Sequence, residues 1–181
     1  MELFIRTVKG WILAGLGVTV HDSGIVHTHC IVEDFLGDFK QRPVGVESIR
    51  RQEFEHNCLL NEGITALLNL LIGAAETAFS NANAYTGVGD SATAAAAAQT
   101  GLLASTNKAY HAMDATYPQV SNQTVTFRST FASGEANFDW NEATIVSAAT
   151  DAGDNLNRKV QAMGTKTSLV SRVITTAITI A

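Results

Sequence analysis

The sequence predicts a mainly β fold: an antiparallel β-sandwich or barrel-like domain with one packed α-helix and an N-terminal β-hairpin arm. Three observations predict it. Apolar and polar residues alternate with period two in "VTFRSTF" and again towards the C-terminus. Short clusters of Gly, Asn, Asp and Ser punctuate these runs at turn spacing. One stretch, "NEGITALLNLLIG", carries a helical period instead.

The chain has 181 residues, 46% of them hydrophobic, enough to bury a core without disulfide staples. Charged residues make up only 16%, and a weakly charged surface favours association with other subunits. The formal net charge of −5 disfavours nucleic acid as a partner of the whole chain. No apolar run is long enough to span a bilayer, so no membrane role is expected. "MELFIRTVKGWILAGLGVTVHDS" has basic and apolar parts but no A-x-A site, and glycines interrupt it, so it is not read as a cleaved signal. Cys30 and Cys58 make no CxxC pair and read as reduced, small apolar fillers.

Along the chain, residues 10–35 read as a hairpin, "WILAGLGVTV" and "IVHTHCIVEDF" joined at "HDSG". Residues 36–56 mix charges with Gly37, Pro43 and Gly45 and read as a linker or extended arm. Domain organisation follows: 1–56 as hairpin and arm, 57–181 as the β-rich domain. The helix should start with Asn61 as N-cap, hold Glu62 in its first turn, and stop at Gly73. Ile64, Leu67, Leu68 and Leu71 make its apolar face, expected to bury on the sheet that follows. "AYTGVGDS" reads as a short strand with a Gly-Asp turn, and "ATAAAAAQTGLL" as either a helix or a loop with one helical turn. "NKAYHAMDATYP" is a strand closed by Pro118.

"VTFRSTFASGEANFDWNEATI" resolves as a hairpin. Val125, Phe127, Ser129 and Phe131 face one way, Gly134 centres the turn, and Phe138 and Trp140 share a face of the return strand. Only Glu142 is left over, and it reads as a hydrogen-bonded carboxylate at a strand bend. "NLNRKVQAM" and "SLVSRVITTAITIA" are further strands around "GTKTS", with Ile174, Thr176, Ile178 and Ile180 on one face.

Chemistry-bearing patterns are sparse. "VHTHC" puts His27 and His29 on one strand face beside Cys30, with His21 and His56 as conceivable further ligands, but the order lacks a zinc spacing and fits a polar strand face better. His111 stands alone. "GVGDSAT" lacks the Lys of a phosphate loop. No G-x-S-x-G or HExxH occurs. No catalytic residue, metal or cofactor is therefore assigned. An enzyme reading, a metal-dependent hydrolase built on His27 and His29, stays as a remote alternative.

"HNCLLNEGITALLNLLIG", "AYTGVGDSAT", "VTFRSTFASGEANFDWNEATI", "NRKV" and "GTKTS", in this order, resemble a group of tailed-bacteriophage virion structural proteins. The resemblance covers roughly residues 56–181. It implies a non-enzymatic assembly role, most like a capsid decoration (cement) protein: a homotrimer on the outer capsid surface that grips the major capsid protein and bridges neighbouring capsomers. A tail, baseplate or fibre component with a host-binding role is the alternative. Trp11 as an aromatic anchor, and Lys40, Arg42, Arg50 and Arg51 as grips on an acidic shell, are the expected contacts. Against the charged grip stand Glu47, Glu53 and Glu55, which dilute the patch towards an ordinary solvated linker.

Overall fold

The computed structural model describes residues 26–181 throughout and, before them, the backbone pairing of two dipeptides. Those dipeptides are β1 (Trp11–Ile12) and β2 (Thr19–Val20), an antiparallel ladder of two residues each. Ten more strands follow: β3 (Val26–Leu36), β4 (Arg50–Glu55), β5 (Cys58–Leu59), β6 (Tyr85–Gly89), β7 (Lys108–Ala112), β8 (Gln119–Ser121), β9 (Thr124–Phe131), β10 (Asp139–Val146), β11 (Asn157–Thr165) and β12 (Val170–Ile180). The helix α1 spans Asn61–Leu71.

The strands form two antiparallel five-stranded sheets, ordered β5-β11-β10-β6-β7 and β4-β3-β12-β9-β8. Period-two patterning builds the space between them. Phe127, Ser129 and Phe131 of β9 and Ile174, Thr176 and Ile178 of β12 are buried, as their alternation requires. One cluster joins Cys30, Val32, Phe131 and Ile174 of the second sheet to Val88, Trp140, Ala143 and Met163 of the first. A second joins Phe127 and Ile178 to Ile145, Leu156, Met113 and Ala84. This is the expected sandwich, and its pairs of interleaved inward faces are its core.

The domain boundary expected at residue 56 is corrected. Residues 26–55 are not an arm, because β3 is an interior strand of the second sheet, paired along its length with β12 and also with β4. Among the described residues, Trp11 and Ile12 pair with Val20 and Thr19 and not with β3, and "HDSG" lies outside the described residues. The supposed linker holds β4, an edge strand. Its exposed charges Arg51, Glu53 and Glu55 alternate with the partly buried Arg50, Gln52 and Phe54, in the manner of an edge kept soluble. "ATAAAAAQTGLL" forms a loop, not a helix.

The helix departs from expectation in its orientation. Leu60, fully buried, is the N-cap, and Asn61 is already helical. The Asn61 N–H donates to the Ala97 carbonyl at 2.8 Å, so the alanine-rich loop caps the helix with its backbone. Glu62 accepts the Asn155 N–H at 2.8 Å. The buried residues of α1 are Gly63 and Ala66, while Leu67, Leu68 and Leu71 are 40%, 57% and 80% exposed. The reason is distance. A Cβ on Gly63 would meet the Leu156 Cα at 2.4 Å, so the helix's first turn lies directly on the backbone of residues 155–156. Contact that close selects the smallest residues and turns the leucines outward. Gly73, at φ +71°, ends the helix as expected.

Gly63→Ala should therefore cost about 1–3 kcal/mol, the usual range for overpacking. Urea titration checks it, and an unchanged midpoint would contradict the close contact.

Candidate functional site

Two features stand out on this scaffold: a set of ionised side chains held inside it, and an apolar cleft beside α1.

Glu142 is fully buried on β10, where the register with β11 shifts between Trp140 and Glu142. It is the hydrogen-bonded carboxylate at a strand irregularity that the sequence implied. It accepts the N–H groups of Leu103 and Ala104 at 3.0 and 2.7 Å and the Arg158 Nε at 2.7 Å. Arg158 is equally buried and donates through Nη1 to the Gln99 Oε1 at 2.9 Å. The pair thus anchors the loop between β6 and β7 at Ala94, Gln99, Leu103 and Ala104. Gly89 makes room for it, since a Cβ there would stand 2.5 Å from the Glu142 Oε1. The glycine of "GVGDSAT" thus opens space for an internal anion.

Arg172, on β12, crosses between the sheets. It donates to both Asp34 oxygens at 2.6 and 2.8 Å, and to the carbonyls of Gly164 and Thr165 on β11. Its guanidinium lies 4.9 Å from the Trp140 ring centroid. Lys166, in the turn between β11 and β12, is 1% exposed and donates to the carbonyls of Ala132 and Ser133 and to the Asn137 side chain. Burial, aided by the Arg172 charge, pushes its amine down to about 8. The turn of β9 and β10 is thereby tied to the turn of β11 and β12.

The arginines expected to grip a partner are placed differently from a free basic patch. Arg42 pairs with Glu33 through Nε and Nη2 at 2.9 and 3.0 Å, and this hydrogen bond holds the Glu33 carboxyl below its ordinary range. Arg50 reaches Asp34 and the Met163 carbonyl. Arg51 binds Glu53 and Glu33. Only partly exposed and already paired, all three brace the β3–β4 edge. Lys40 is exposed. The Trp11 side chain lies outside the described residues.

His27 and His29 do share the outer face of β3, yet His29 bonds Glu53 at 3.0 Å. Among the described residues no three His, Cys, Asp or Glu side chains gather as a metal site would require. His111 packs against Phe131 with the rings tilted by 49°, and lies 3.3 Å from Glu135. Cys30 and Cys58 are free thiols, and burial pushes the Cys30 thiol up to about 11, away from reactivity.

The cleft has a volume of about 540 Å³. Leu67 and Leu70 of α1 form one wall, Val120, Val125 and Phe127 of β8 and β9 another, and Val26 and Ile180 stand at the ends of β3 and β12. No ionisable side chain lines it among the described residues. Outside it, the row Leu68, Leu71 and Ile72 continues along the helix, 57%, 80% and 78% exposed. Sequence reasoning found these leucines and assigned them to the core; what it lacked was the contact at Gly63 that turns them away.

No family model, curated protein or solved structure matches this chain.

Removing one member of the buried pair leaves the other uncompensated. Arg158→Met should cost about 3–5 kcal/mol, and adding Glu142→Leu should recover part of that loss. Recovery stays partial because Leu103 and Ala104 lose their acceptor. Equilibrium unfolding of the two variants checks this, and strictly additive losses would contradict it.

Proposed function

We propose that this chain is a structural protein of a tailed-bacteriophage virion, a capsid decoration protein that binds the major capsid protein as a homotrimer on the outer surface and bridges neighbouring capsomers. The order of motifs in residues 56–181 favours this reading. The single structural observation that supports it is the uncovered apolar row Leu68 and Leu71 of α1 and its C-cap Ile72. Contiguous exposed apolar surface marks an interaction face. A closed trimer repeats one such face with a neighbour's complementary surface, and symmetry multiplies the contact over a shell.

The mechanism is mechanical. A bridging subunit adds buried area across joints that internal pressure tends to open. It must itself resist shear, and ion pairs that tie strands, turns and sheets together serve that purpose. The side chains of Arg42, Arg50 and Arg51 stay 33–44% exposed despite their pairing, and Lys40 is exposed.

Purified protein should bind heads that lack it and raise their resistance to heat or osmotic shock. Leu71→Asp should weaken self-association at least tenfold, about 1.4 kcal/mol, with little change in subunit stability. Sedimentation and negative-stain microscopy read both. Binding to tails or host cells instead of heads would favour a tail, baseplate or fibre component.

A further inference from the structure

The cleft lies where the described body begins. Val26 opens β3, is 42% exposed, and pairs with Ile180 at the end of β12, so both line the same rim. The first residue of the described body thus stands on the rim of the cleft. From Val20, the end of β2, to Val26 is a reach of up to about 20 Å of extended chain. The eleven residues of α1 make a wall about 16 Å long at 1.5 Å per residue. A tether with that reach lets residues 10–20 come to any point along the wall.

The chemistries also match. Residues 10–20, "GWILAGLGVTV", contain no ionisable side chain, and none lines the cleft among the described residues. A two-stranded ladder such as β1 and β2 is marginal in water and needs an apolar surface to rest on. We propose that residues 10–20 of the same chain dock in this cleft, covering Leu67, Leu70, Val120 and Ile180. The segment would complete its own subunit, leaving the outer row of α1 for partners. This inference rests on the fold and not on the virion reading, and its test needs no heads.

The chain's two tryptophans, Trp11 and Trp140, provide the readout. Trp140 is fully buried, so acrylamide quenching of the intact protein reports on Trp11. At a dilution where the chain is monomeric, quenching should be several-fold weaker than for free tryptophan. Leu67→Asp should restore quenching to near the free value and increase binding of an anilinonaphthalene sulfonate dye. Leu67 is 40% exposed, so the fold should survive; a retained cooperative melt verifies that. Val120→Asp, 77% exposed on the opposite wall, should act alike and decides the matter if the first variant misfolds. Free-like quenching of wild-type Trp11, or protection that neither aspartate alters, would overturn the proposal. Protection lost on dilution to monomer would also overturn it, by giving the cleft to a neighbouring copy's segment.

Discussion

The arrangement depends first on Arg172. A guanidinium with no solvent exposure has to satisfy its donors inside the protein, and it does so from both sheets at once. Asp34 answers it from the neighbouring strand, and two β11 carbonyls answer it from the opposite sheet. Hydrophobic contact alone is non-directional and would let the sheets slide. Charge-assisted hydrogen bonds at fixed angles do not. The register of the sandwich is therefore set by polar contacts within an apolar core, the core supplying most of the driving force.

The same logic extends outward. Glu142 and Arg158 hold the loop whose Ala97 carbonyl caps α1, and Glu62 of α1 returns the contact to residue 155. The helix is thus placed by its backbone and its smallest residues. Its leucines are left for other surfaces, and the cleft and the outer row are direct consequences. Burying an ion pair carries a desolvation cost that its Coulomb attraction only partly offsets, so these pairs are better understood as fixing one arrangement than as sources of net stability.

Much of this was legible in the residues. Strands β9 and β10 follow from alternation alone, but the hairpin expected of them does not form: β9 pairs with β12 and β8, β10 with β11 and β6, so their turn crosses between the sheets. Glu142 was legible as a hydrogen-bonded carboxylate because it was the one residue the alternation left over. Helix α1 and its stop at Gly73 were readable from period and turn chemistry. Its orientation was not, because periodicity ranks faces by hydrophobicity, whereas close approach ranks them by size. Arg172 carried a signal that was passed over: it is in phase with Ile174, Thr176 and Ile178, hence on the inward face. The strand in "IVHTHCIVEDF" was readable, but residues 36–56 were read as a linker because β4 is a charged edge strand, and its arginines look like a surface patch until Glu33 and Asp34 are placed opposite them.

Proton exchange at the Arg172 Nε–H tests the central claim most directly. Followed by nitrogen-resolved NMR after transfer to D₂O, that proton should persist and exchange only through global opening, at a rate matching the slowest core amides. The Arg51 Nε–H, at the exposed edge, should vanish at once. Loss of both protons at similar, rapid rates would contradict an account in which a buried guanidinium, bonded to both sheets, sets the two sheets against each other.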